Sequence, residues 1–316
     1  MPEFPVGQIT FPSLDIGDWI AELVRFLNEN LGFLFRLIRE VVGTLAEWIE
    51  MVLTAPSVGV MVGILTLIGL VARGWRFGLF TALAFSLIAS MGRFEETMDT
   101  LALVLVAVLI SVTIGTPLGV LAARSDRLSA VIRPALDFMQ TMPAFIYLLL
   151  AVFFFRLGVV PGVMASVVFA MPPAVRLTEL GIRQVDREVV EAAEAFGARP
   201  SEVLFGVQLP LARPSIMAGV NQVIMLTLSM VVIAGLAGAG GLGETVVSGV
   251  MRFNIGLGVE GGLAVVILAI FLDRVTAVFG VRSRRTARKS RDASQDDSLF
   301  AGLRSVLRVG LGGRTH

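Results

Sequence analysis

The chain has 316 residues, 55% of them hydrophobic and only 16% charged, with a mean hydropathy of +0.83 and a formal net charge of +1. A soluble domain carries nearer about 25% charge, so the composition excludes an ordinary water-soluble globule and selects the bilayer as solvent. The near-zero charge excludes a global field for nucleic acid; the absence of cysteine excludes disulfides and thiolate metal sites, and a lone His316 excludes a histidine metal site.

The opening "MPEFPVGQITFPSLDIGDW" lacks a basic region followed by an apolar core and cleavage site, so no cleavable signal peptide is predicted and the first spanning helix serves as insertion signal. Ile20, Leu23, Leu27, Leu31, Leu34, Ile38, Val41, Leu45 and Ile49 then recur at helical spacing, with Asp18, Glu22, Arg25, Glu29, Arg36, Glu40 and Glu47 between them. This pattern predicts a long amphipathic helix, bent at Gly32, on the outer membrane surface or on the bundle.

Seven stretches are apolar enough to span, at 55–72, 77–91, 98–122, 138–155, 159–175, 216–239 and 259–279, the second and fifth being short. The expected fold is all-α, a polytopic transmembrane bundle at 55–280 preceded by the extracytoplasmic region 1–54 and followed by a basic tail at 281–316. Arginine sets the orientation. Arg73, Arg76, Arg124, Arg127, Arg133, Arg176, Arg183, Arg187, Arg199, Arg213 and the tail "RSRRTARKSR" fall in alternate connections, leaving only Arg93, Arg156 and Arg252 in the others. The positive-inside rule therefore predicts an outside N-terminus and a cytoplasmic C-terminus. The last stretch, "SLFAGLRSVLRVGLGG", reads as a membrane-surface segment or a disordered end.

One polar island, "EAAEAFGARPSEVLFGVQLP" at 191–210, interrupts the oil. Asp186 is placed to N-cap a helix in which Val189, Ala192, Ala193 and Phe196 make one apolar stripe, with Glu188, Glu191 and Glu194 largely off it. Gly197 suits the left-handed residue that closes a helix, and Pro200 suits the first turn of the next. The second helix is expected to present Val203, Leu204 and Val207 on one side and to end at Pro210. Two short helices around a glycine turn, in a loop longer than most between spans, have the form of a docking element for a partner protein.

Glu191, Ala192, Ala193, Phe196, Gly197, Val207, Leu209 and Pro210 resemble the EAA loop of bacterial ABC importer membrane subunits, with Val207 where that pattern usually has isoleucine. The blocks "TMPAFIYLLLAVFFFRLGVVPGVMASVVFAMPPAVRLTELGIRQV" and "AGVNQVIMLTLSMVVIAGLAGAGGLGE" are similar to the permease subunit of glycine betaine, proline betaine or choline importers, the likeness running over 55–280. The resemblance implies a type I ABC importer permease of the inner membrane, serving osmoprotection. Its EAA loop, at about 176–215, would dock on a cytoplasmic ATPase that uses ATP-Mg, with a solute-binding protein outside and a second permease copy alongside. No cofactor is expected on this chain.

The spans themselves hold almost no charge: Asp99 and Glu260 sit at edges, and only Asp273 and Arg274 approach an interior. A proton relay has nothing to run on, which argues against an ion-coupled carrier or self-sufficient channel. No GxxxxGK[ST] loop is present either, so the chain is not expected to be an enzyme or to carry the ATPase. Tyr147 and Thr141 in the fourth stretch and Asn221, Gln222, Thr227 and Ser229 in the sixth are candidate pathway residues, interhelical hydrogen bonding being the alternative. In "GLAGAGGLG" at 235–243, Gly240 and Gly241 among them, close packing competes with a gate hinge. Pro143, Pro172 and Pro173 are expected to kink or end helices. Trp19, Trp48, Trp75 and the single Tyr147 form no cluster within one span, so cation-π recognition of a trimethylammonium group is expected on the separate binding protein.

Overall fold

The structure, a computed structural model, describes residues 16–278, which are almost wholly helical. Helix α1 (Ile16–Thr54) is followed by α2 (Val58–Arg73), α3 (Trp75–Ser90) and α4 (Phe94–Arg124). Then come α5 (Asp126–Thr141), α6 (Ala144–Phe155), α7 (Val159–Arg183) and the short pair α8 (Arg187–Ala195) and α9 (Pro200–Val203). A π-turn (Leu204–Gln208) leads into α10 (Leu209–Ala234), and α11 (Gly241–Met251) and α12 (Ile255–Val278) complete the described chain. The predicted basic tail lies outside the described residues.

The bundle is organised around α7, which packs between α4 and α10. Gly119 makes the first contact: a Cβ there would sit 2.5 Å from the Val175 carbonyl oxygen, so only glycine allows α4 to approach α7 so closely. The core that results is closed, with Phe85, Ile88, Met98, Val104, Val106 and Val163 fully buried.

Several sequence expectations need correction. Four helices are long and apolar enough to cross a membrane, or up to six if each of two bent pairs counts as one crossing, and α3 adds a shorter apolar helix. The predicted span 138–155 is therefore not one helix: α5 and α6 meet at 98° across Met142–Pro143. Proline has no N–H to continue α5 and pushes the preceding residue out of helical geometry, and Met142 is extended at ψ 135°. Pro172 and Pro173 do not end a helix, since α7 runs through both without a break. Both rings are buried where α4 and α10 flank the helix, so packing holds the path that lost hydrogen bonds would release.

Helix α1 is likewise unbroken at Gly32 and turns only at its end, by 99° into α2. Its faces follow the predicted stripe only in part: Leu27, Ile38, Leu45 and Ile49 are half-buried, whereas Ile20, Leu23, Leu31, Leu34 and Val41 are exposed. Val42 and Ala46 are buried against the bundle and Phe35 stacks on Phe154 at 4.6 Å between ring centroids, while Trp19, Phe33 and Trp48 point outward.

Candidate functional site: a helical docking loop joined to a span

The island folds as two helices around a glycine turn. The Asp186 carboxylate accepts from the Glu188 amide at 3.0 Å, satisfying one of the free donors of the first turn of α8. Gly197 closes the helix at φ +82°, where it donates to the Glu194 carbonyl at 2.9 Å while Ala198 donates to Ala193 at 3.1 Å. This is the Schellman pairing, which saves two carbonyls otherwise left over at the helix end. Pro200 then opens α9 and the Glu202 carboxylate accepts from the Arg199 amide at 2.8 Å.

No residue of α8 is buried. Phe196 is 94% exposed, Phe205 is 68% exposed, and Val189, Ala192, Glu191 and Glu194 are also exposed, so among the described residues nothing covers the apolar stripe of this amphipathic helix. The root of the loop is the contrary. Val203 and Leu204 are buried, and Leu204 packs with Ile182 of α7 and Ala212 of α10.

The second helix does not end at Pro210. The Leu209 amide donates to the Leu204 carbonyl five residues back, a π-turn that carries the chain past the proline and into α10. Pro210 falls in the first turn of α10, where its missing N–H costs little. From Pro200 to Ala237 the helical path runs for 38 residues with Val207 and Leu209 half-buried along it.

The predicted pathway residues separate into two groups. Tyr147 is buried, and its hydroxyl donates to the Met139 carbonyl at 2.7 Å across the α5–α6 bend. Asn221 donates to Asp273 at 2.5 Å and accepts from Thr276 at 2.8 Å, tying α10 to α12. Thr227 is also buried, its hydroxyl without a partner among the described residues. Gln222 and Ser229, in contrast, are exposed on one stripe of α10 with Met225, and Thr141 is exposed at the end of α5. Gly240 (φ +76°) and Gly241 (φ +65°) form the turn into α11, and the Thr100 hydroxyl accepts from the Leu242 amide there.

Residues 115–285 match the sequence profile described as "Binding-protein-dependent transport system inner membrane component". The chain belongs to this family. It is the membrane-spanning permease of an ABC importer, a multi-pass inner-membrane component, and the family is one that works with a binding protein and an ATPase. The permease is 45% identical to the glycine betaine transport system permease protein OpuAB of Bacillus subtilis, over 86% of this chain and 97% of that one. It is 44% identical to the glycine betaine/carnitine transport permease protein GbuB of Listeria monocytogenes, over 86% and 98%. A further 44% identity joins it to the glycine betaine/proline betaine permease ProW of Escherichia coli, over 86% and 77%. Among solved structures, the inward-facing MetNI methionine ABC transporter shares the fold, with a TM-score of 0.53 over 61% of this chain and 95% of that chain, at 24% identity.

Two charged clusters of the permease carry no sequence signal beyond isolated charges. At one end, buried Glu179 accepts from Ser129 at 2.7 Å and from Arg133 at 2.9 Å and pairs with Arg183 at 3.0 Å, while Arg183 also reaches Asp126 at 2.7 Å and the Ala122 carbonyl at 2.9 Å. These bonds lace α5 antiparallel onto the end of α7. At the other end, Arg93 bonds Glu96 at 2.9 Å and Glu260 at 3.2 Å, joining the start of α4 to α12. The Glu96 hydrogen bond, followed by the Glu260 one and by the field of both carboxylates, outweighs burial and raises the Arg93 guanidinium above its already high pKa. Glu96 and Arg183 are local partners three and four residues away, but the remaining side-chain partners lie 46 to 167 residues apart in sequence, so only the fold reveals them.

Proposed function

We propose that this permease is the membrane subunit of an ATP-driven importer of quaternary ammonium compatible solutes, with glycine betaine, proline betaine or choline as substrate class and osmoprotection as its role. The single observation that carries the mechanism is the α8–α9 loop: its apolar stripe is unpartnered, yet its root continues without interruption into the spanning helix α10. Glu191, Ala192, Ala193, Phe196 and Gly197 form the surface offered to a separate ATPase, and Val207, Leu209 and Pro210 form the joint to the span.

Substrate class is supported by the relatives named above, glycine betaine permeases whose similarity covers nearly nine-tenths of this chain. ATP-Mg is used by the partner, since the sequence has no phosphate-binding loop, and this subunit performs no covalent chemistry. Two copies enclose the pathway. Glutamine facing lipid is costly, so the exposed stripe with Gln222 and Ser229 faces a watery cavity shared with the second copy rather than acyl chains. Closing of the ATPase dimer moves α8 and α9, and α10 moves with them.

Uptake of labelled glycine betaine into proteoliposomes tests the proposal. Transport is expected only with permease, cognate ATPase, binding protein and internal ATP all present. Uptake by the permease alone would overturn it, and competition by choline and proline betaine orders the substrates.

A further inference from the structure

A cavity of about 440 Å³ lies where α1 crosses the end of α6, lined by Gly32, Phe35, Arg36, Arg39, Phe153 and Arg156 among others. Three guanidiniums converge on it, and no carboxylate is among its lining residues. Glu40, Glu47 and Glu50 line the adjoining cavity, which shares Arg36 and Arg39, but among the described residues none comes within 4.0 Å of these arginines.

The arrangement is unfavourable without a ligand. Arg36 and Arg39 are like charges three residues apart on one helix face, which repel. Arg156 adopts φ +64° and ψ −169°, a region that is essentially reserved for glycine. An arginine stands where glycine would be relaxed, so its side chain has a use. The Arg36 guanidinium lies back along the helix over Gly32, a terminal nitrogen in ordinary van der Waals reach of where a Cβ there would sit. Asn28 fixes the crossing by donating to the Phe153 carbonyl at 3.3 Å.

We infer that this cavity binds the headgroup phosphate of an anionic membrane phospholipid. Guanidiniums match phosphate oxygens in charge and in fork geometry. The phenyl rings select the lipid over a free anion or an acidic protein: Phe35 and Phe154 floor the cavity and Phe153 is 61% exposed at its side. The same helix turns Trp19, Phe26, Phe33 and Trp48 outward, the pattern of a helix lying at the acyl boundary. A phosphate bearing hydrocarbon tails fits both halves of the site.

The test uses the whole permease–ATPase assembly, delipidated in detergent, exchanged with equimolar phosphatidylglycerol and phosphatidylethanolamine and read by native mass spectrometry. Wild type is expected to retain phosphatidylglycerol preferentially. Arg156→Gly, which removes the guanidinium while relaxing the backbone, is expected to unfold no earlier than wild type and to lose about fivefold in retention; Arg36→Gln with Arg39→Gln and Arg156→Gly is expected to lose about a hundredfold. Equal retention by wild type and variants would overturn the assignment. So would displacement of the lipid by millimolar inorganic phosphate, which would mark a free-phosphate site, or unchanged lipid retention with weakened capture of the solute-binding protein. Lipid retention is read without transport, so its outcome is independent of the substrate.

Discussion

Gly197 isolates the geometry of the docking loop from its contacts. A Cβ built there meets no atom within 4 Å, so Gly197→Val adds no steric clash and acts only on the backbone at φ +82°. A left-handed conformation costs a residue with a Cβ about 1–2 kcal/mol, more if it is β-branched. That penalty favours rearranged turns by a factor of about 5–30, and each rearrangement gives up the Gly197–Glu194 and Ala198–Ala193 hydrogen bonds that set the angle between α8 and α9. Because α8 buries nothing, thermal unfolding of the permease should not move. The affinity for the detached ATPase, measured by titrating it onto permease in nanodiscs, should fall by about 5–30-fold, and solute-stimulated ATP hydrolysis should fall with it. Gly197→Asn should lie between, since asparagine tolerates the left-handed region. Full ATPase affinity and uptake in Gly197→Val would refute the idea that this turn aligns the two helices.

Three further outcomes follow from the packing. Gly235→Ala puts a Cβ 2.3 Å from the Gly243 carbonyl carbon, a backbone clash that can be relieved only by moving α11, and should cost about 2 kcal/mol or more in thermal unfolding. Glu179→Gln loses the charge that holds two arginines; both are partly solvent-exposed, so the loss should be about 2 kcal/mol rather than the 3–5 typical of fully buried pairs, and should shrink when Arg133→Gln is added. Asp273→Leu leaves the Asn221 amide without its acceptor at a cost of about 1–3 kcal/mol, whereas Asn221→Leu with Asp273→Leu together should cost less than the sum, as a double-mutant cycle would report.

The elements most legible in the sequence were those set by local chemistry. Asp186 as cap, Gly197 at positive φ and Pro200 in a first turn each need only their neighbours, and each is where the spacing put it. Span boundaries were less legible, because hydropathy is indifferent to direction: it reads 138–155 as one apolar stretch while Pro143 turns the chain through 98°. Among the prolines, Pro143 breaks the helix as expected, while Pro172, Pro173 and Pro210 do not end theirs. The effect of a proline depends on what lies beside it, and packing on two sides carries α7 through Pro172 and Pro173 while a π-turn carries the chain past Pro210. Helix α1 runs on through Gly32 because nothing in a helix obliges a glycine to break it. Of the candidate pathway residues, the sequence could name polar groups but not their partners; Asn221 meets Asp273 and Tyr147 meets Met139 only through tertiary contact.

The union of α9, the π-turn, α10 and the tight helical turn Gly235–Ala237 that ends it has a mechanical consequence. A rod of 38 residues is about 57 Å long at 1.5 Å per residue. Tilting it by one degree about its Pro200 end displaces the distant tip by about 1 Å if the π-turn holds stiff. On the coupling proposed above, a swivel of only a few degrees at the loop end would suffice to widen or pinch an aperture at the far end, which makes this segment lever and crank in one.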